Sequence, residues 1–171
     1  MITCIFILGI IGGCKKVFND EPFTLKKSDY YGEEIRINGY FYNYYLSGQD
    51  SVVRLLILYH NGISIRTVTY ESLTKFEEMF MSGEFSRSIS DVSFLWGLFS
   101  VEDDSIIIEH YYPQGGIRSY TYFRSGRIIN DTTFCLTSFT RPDGSELELI
   151  DETYHFKYFS PKPDSTTNFI K

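Results

Sequence analysis

The chain has 171 residues, of which 43% are hydrophobic and 18% aromatic, with fourteen Tyr and fifteen Phe against one Trp. That is a one-domain length with enough apolar content for an ordinary core, which excludes disorder as the default. The aromatic excess suits half-buried sheet surfaces, where a ring packs while a hydroxyl stays wet. A net charge of −6, spread along the chain, excludes a phosphate-tracking groove, so no nucleic-acid partner is expected.

The first element is the uncharged apolar run Ile2 to Ile11. Its ten residues are too few to span a bilayer, which takes about 20, but they match a signal-peptide core. The small residues Gly12 and Gly13 come next, and Ile11-Gly12-Gly13-Cys14 resembles the bacterial lipobox. The resemblance implies that residues 1–13 are removed and that Cys14 carries acyl chains, making the membrane a partner. Two or more chains hold a protein on a bilayer, where one is marginal. The alternative is a buried N-terminal strand with an ordinary core cysteine. Lysines, not the aspartate of inner-membrane retention, follow Cys14, which implies an outer-membrane address in the cell envelope. Residues 14–32, with Pro22 and the pairs Lys15-Lys16 and Lys26-Lys27, read as a juxtamembrane tether, and 33–171 as a single β domain. Cys135 would then be the sole free thiol, excluding an intramolecular disulfide, and its β-like run TTFCLTSF suits a small buried hydrophobe.

The body predicts strands at Glu34–Tyr45, Ser51–Tyr59 and Ile63–Tyr70, the last two joined at Asn61-Gly62 by a type I′ hairpin turn. Leu73, Phe76 and Phe80 recur at helical spacing, predicting a short amphipathic helix over Ser72–Ser82. A Thr74/Glu77 capping box and Gly83 would bound it. The polar stretch Glu84–Ser93 reads as a loop. Strands resume at Phe94–Val101, Ser105–Tyr112, Ile117–Phe123, Arg127–Thr140 and Ser145–Phe159, separated by turns that include Ser125-Gly126. Pro161 and Pro163 exclude the tail from a central strand. The fold class is therefore mainly β, an eight-stranded antiparallel meander with one short helix between strands three and four. Short connections favour spatial neighbours, and eight strands can close into a barrel. A twisted open sheet with the helix on one face is the alternative.

Chemistry-bearing motifs are few. His60, His110 and His155 lie 50 and 45 residues apart, without metal-ligand spacing. No nucleophile elbow, zinc-protease signature or phosphate-cradling glycine loop occurs, so no catalytic residue, metal or cofactor is assigned. Glu146, Glu148 and Glu152 alternate along the last strand and read as its solvated face. A hydrolase reading would need carboxylates such as Glu109 or Glu148 to converge in a cleft. Binding is better signalled by aromatics. Tyr40, Tyr42 and Tyr44 share one face of the first strand, Ile37, Phe41 and Tyr45 the other, and Tyr120 pairs with Tyr122. Tyr40, Tyr42, Tyr44, Trp96, Tyr120 and Tyr122 form the candidate ligand-binding set, against the alternative that Tyr coats the outside of a sheet.

The blocks LWGLFSVEDDSIIIEHYY (95–112), GRIINDTTF (126–134) and YHFKYFSPKPDSTTNFI (154–170) resemble a group of small uncharacterised lipoproteins of Bacteroidota. The Trp96-Gly97 segment leading into a meander is similar to lipocalin-like domains. The resemblance implies an envelope location and a lipocalin-like barrel. It leaves as candidate partners a small apolar ligand, a glycan or an envelope protein. A non-catalytic binding module is the leading expectation, with an envelope hydrolase or a structural subunit of an outer-membrane complex as alternatives.

Overall fold

The computed structural model describes residues 20–112, 119–167 and 169–170; residues 1–13, read above as a leader, and Cys14 lie outside these described residues. Eight strands run in order: β1 Gly39–Ser47, β2 Asp50–Leu58, β3 Ile63–Thr69, β4 Trp96–Glu102, β5 Ser105–Tyr112, β6 Tyr120–Asn130, β7 Thr133–Thr140 and β8 Glu148–Tyr158. Each pairs antiparallel with the next. β1 pairs with β8, Phe41 opposite Phe156, so the meander closes into a barrel instead of staying open. Closure removes the two free edges that an open sheet would have to protect.

Strand alternation sorts the apolar side chains into two cores. Inside the barrel Phe41, Leu56, Leu58, Ile106, Phe134 and Tyr154 pack together. Outside, Tyr40, Leu55, Ile57, Ile65 and Trp96 pack against Phe76 and Phe80 of α1 (Leu73–Met81) and Phe85 and Ile89 of α2 (Glu84–Ile89). This explains why β2 is apolar at almost every position: it is buried on both faces. Burying rings such as Phe76 and Phe80 contributes about 1.5–3 kcal/mol each. Ser72 caps α1, its Oγ accepting the Lys75 N–H at 3.2 Å. The expected capping box does not form, and Glu77 accepts the Tyr40 hydroxyl at 2.8 Å, tying the helix to the barrel.

Four local readings change. Residues 84–89 form α2, not a loop, because Phe85 and Ile89 are one helical turn apart and reach the outer core. Ser125-Gly126 is no turn: β6 runs straight through it, and Gly126 is needed because a Cβ there would sit 1.9 Å from the Cys135 carbonyl oxygen at a β-bulge. At the β2–β3 hairpin only Gly62 has positive φ (74°), and its N–H donates to the Tyr59 carbonyl at 3.0 Å. That is a three-residue loop ending in a left-handed glycine, not a type I′ turn. Residues 34–38 point Ile35 and Ile37 into the inner core but precede the first strand; they cross one end of the barrel as a plug.

The path of residues 20–37 defines the two ends. Glu21 is fixed beside the start of β6: its N–H donates to Ser119 O at 3.1 Å, and its carboxylate accepts Thr121 N–H at 2.8 Å and Arg141 Nη2 at 2.9 Å. The chain then descends outside β5, where fully buried Glu109 accepts the N–H groups of Thr24 at 2.9 Å and Leu25 at 2.7 Å. Ile35 and Ile37 close the far end. There Lys162 of the C-terminal tail donates to the carbonyls of Ile37 and Leu58.

Candidate functional site

Away from that closed end, the inward positions cease to be apolar. The series in β2 runs Leu58, Leu56, Arg54; in β3 Ser64, Arg66, Val68; in β5 Ile106, Ile108, His110, Tyr112; in β6 Ile128, Gly126, Arg124, Tyr122; and in β8 Phe156, Tyr154, Glu152. The ends of β3, β5 and β6 border a cavity of about 360 Å³. Arg66, Val68, His110, Tyr112 and Arg124 line it, with Phe94 and Leu95 from a short 3₁₀ turn at Ser93–Leu95. The volume falls at the lower end of the roughly 300–1,000 Å³ of small-molecule pockets. A second depression, about 520 Å³ and more open, lies outside the barrel between the N-terminal strap and the C-terminal tail, beside Phe23, Leu98 and Phe169.

The mouth carries unbalanced charge. Arg54 is well partnered: its Nη1 donates to Asn43 Oδ1 at 3.2 Å, lies 3.5 Å from Glu152, and its guanidinium sits 3.5 Å over the Tyr45 ring. Glu152 also accepts the Tyr154 hydroxyl at 3.0 Å, leaving Arg124 a distant 4.0 Å ion pair without a hydrogen bond. Arg124 is 9% exposed, its Nε is unpaired, and it lies 4.6 Å over the Phe139 ring. Among the described residues Arg66 has no carboxylate within 4 Å, and its buried Nε has no hydrogen-bond partner. Two guanidinium groups thus share one carboxylate, and the third has none within 4 Å among the described residues.

The titration of the neighbours reflects this crowding. Burial, and then Arg66 and Arg124, hold His110 well below the usual histidine range, so it is neutral at pH 7. Its Nε2 lies 3.2 Å from Ser64 Oγ, while Nδ1 has no partner. The ring fits because Gly97 stands opposite it in β4, where a Cβ would come within 2.5 Å of the imidazole. Burial, with Arg66 next, lowers Arg124 to about 10, leaving it charged at neutral pH. Burial raises the Tyr154 hydroxyl to about 12 against the pull of Arg66.

The residues singled out from sequence fall into two places. Tyr122 faces the mouth, its ring stacked 4.6 Å from Phe139 and its hydroxyl 2.5 Å from Glu146, and Arg141 lies 4.4 Å over Tyr120 at the rim. Tyr40, Tyr42 and Tyr44 lie on the outer face, the first buried beneath α1 and the last exposed. Trp96 is also outside, buried, with its Nε1 donating to Ile89 O at 3.1 Å. Cys135 is half-buried on the outer face, 3.6 Å from Asp151 Oδ1, not in a core. The last-strand carboxylates do not share a solvated face: Glu146 stands in the β7–β8 loop, Glu148 is exposed, and Glu152 is buried inside. Glu109 points outward to the strap, so it does not converge with Glu148.

Sequence reasoning missed the arginines. Arg54 and Arg66 occupy the inward parity of their strands, as Arg124 does with Tyr122, but that parity becomes informative only once the inner face is known. Among the described residues no group of three or more His, Cys, Asp or Glu could hold a metal ion, and no helix is long and apolar enough to cross a membrane. Comparison with protein-family models, curated proteins and solved structures finds no match.

Proposed function

We propose that this chain is a non-catalytic binding module, lipid-anchored in the cell envelope at the outer membrane, that takes a small ligand in the mouth of its barrel. The single observation that carries the binding reading is the change of character along the barrel interior: apolar and plugged at one end, open and polar around a cavity of about 360 Å³ at the other. A structural subunit would have no need of that cavity. A hydrolase would need the acidic pair that Glu109 and Glu148 do not form. The anchor rests on the Ile11-Gly12-Gly13-Cys14 motif, and the outer-membrane address on the lysines that follow it. The outer tyrosines Tyr42 and Tyr44, whose rings meet at 5.6 Å, would serve a glycan or protein partner less specifically than the cavity serves a small molecule.

The test is made on protein purified from membranes of a bacterial host. Intact mass should show loss of residues 1–13 and a gain of acyl chains, both abolished by Cys14→Ala. The neutral dye N-phenyl-1-naphthylamine should brighten on binding, and Val68→Trp, which fills the mouth from an exposed position, should suppress this. An intact Met1 with an unmodified Cys14 overturns the anchor. Dye binding unchanged by Val68→Trp overturns the mouth as the site.

A further inference from the structure

We infer that the mouth recognises an oxyanion, the carboxylate or phosphate head of an amphiphile, through Arg66 and Arg124. This rests on the reading of the mouth as a ligand site and names the ligand's chemistry. Buried charge is ordinarily paired, because an isolated ion loses its hydration without compensation. Here, among the described residues, Arg54 and Arg124 share Glu152, Arg66 has no carboxylate within 4 Å, and the buried Nε atoms of all three arginines have no hydrogen-bond partner. Neutral His110 adds an unpaired Nδ1 rather than a counter-charge. An oxyanion supplies both missing elements: negative charge, and acceptors for guanidinium groups suited to bidentate contact.

The rest of the cavity wall selects the tail behind the head group. Val68, beside Arg66 on the same face of β3, and Phe94 and Leu95 give the lining an apolar part, which suits an alkyl chain rather than a second charge. The direction of the mouth agrees. Asp20 and Glu21 are held at its rim through Ser119, Thr121 and Arg141. From Cys14 to Asp20 the chain can extend by at most about 22 Å. An acylated Cys14 therefore keeps the mouth side within that distance of the bilayer, where anionic amphiphiles are concentrated.

Isothermal titration of the full-length protein tests the inference with four probes: octyl phosphate, octanol, octyltrimethylammonium and inorganic phosphate. Octyl phosphate should bind at least tenfold more tightly than octanol or inorganic phosphate, and the cationic probe should not bind. Arg66→Gln and Arg124→Gln should each weaken octyl phosphate at least tenfold while leaving octanol unchanged. Arg66→Gln should also raise the melting temperature of the unliganded protein, since it removes a cation that has no carboxylate within 4 Å among the described residues; a purely structural arginine would lower it. Octanol matching octyl phosphate overturns the oxyanion but spares the binding module, whereas no binding by any probe overturns both. Inorganic phosphate binding as tightly as octyl phosphate overturns the amphiphile and makes a free anion the ligand. Vesicles separate the membrane source, with Cys14→Ala used to remove retention by the anchor: retention of that variant on phosphatidylglycerol but not phosphatidylcholine, lost when Arg66→Gln is added, supports a lipid head group, and equal retention on both overturns it.

Discussion

The two ends of the barrel interior are built on the same eight strands and the same alternation, yet they solve opposite problems. At the closed end Phe41, Leu56, Phe134 and Tyr154 fill the space and Ile35 and Ile37 seal it. At the mouth Arg54, Arg66, Arg124 and His110 occupy equivalent inward positions, and the last three line a cavity. The difference teaches that stability and recognition are separated along the barrel axis. One end contributes to folding through burial; the other holds polar groups that folding alone does not favour.

The largest test of this division is Phe134→Ala. Phe134 is fully buried, with its ring 4.8 Å from Phe41 and 5.1 Å from Tyr154. Its loss should cost about 3–5 kcal/mol in chemical denaturation. Val68→Ala, at an exposed inward position of the mouth, should cost under about 0.5 kcal/mol. Equal losses would show that the mouth is part of the folding core after all.

Glu152→Gln comes next, because it removes the one carboxylate shared by Arg54 and Arg124. Breaking a buried pair from one side costs about 3 kcal/mol or more. The same change removes a negative charge from beside Arg54 and Arg124, so octyl phosphate should bind more tightly as stability falls. These opposite signs distinguish a recognition element from a simple structural pair.

The pH dependence is smaller and has a defined direction. His110 is neutral in the fold because burial and then Arg66 and Arg124 depress its pKa. Unfolding restores a value near 6.5, so the unfolded chain takes up a proton that the fold excludes. This contribution is fully present above about pH 6.5 and is lost as pH falls, at up to about 1.4 kcal/mol per pH unit. His110→Gln should flatten that slope between pH 6.5 and 5 in urea titrations; an unchanged slope would mean that the imidazole is already protonated in the mouth.

The meander, its eight strands and the first helix were legible because each rests on local pattern: Asn61-Gly62 marks a hairpin whatever its turn type, and Phe76 and Phe80 mark a helix. The second helix was less visible, since two apolar residues, Phe85 and Ile89, stand in an otherwise polar stretch. Gly126 misled because glycine serves both turns and close strand contacts, and only the neighbouring carbonyl of Cys135 tells them apart. The site was hidden for a related reason. β2 is apolar on both faces, so Arg54 reads as an interruption of a run, and its inward direction depends on strands far away in sequence. Tyr120 and Tyr122 were the only residues of the candidate set that the fold brings to the mouth.

The smallest expected effect compares two arginine–carboxylate pairs directly. Arg127 and Asp104 meet at 2.9 Å at the closed-end rim, better geometry than either contact of Glu152, but their side chains are 76% and 59% exposed. Water already solvates both ions there, and ordering two long side chains offsets much of the attraction. Asp104→Asn should therefore change stability by less than about 1 kcal/mol, and the residual should shrink further in high salt. Glu152 makes longer contacts, at 3.5 and 4.0 Å, yet its removal strands two guanidinium groups that water reaches poorly. If denaturation curves placed Asp104→Asn and Glu152→Gln at equal cost, separation would outweigh desolvation in this barrel. The excess charge of the mouth would then be too well solvated to require an anionic partner.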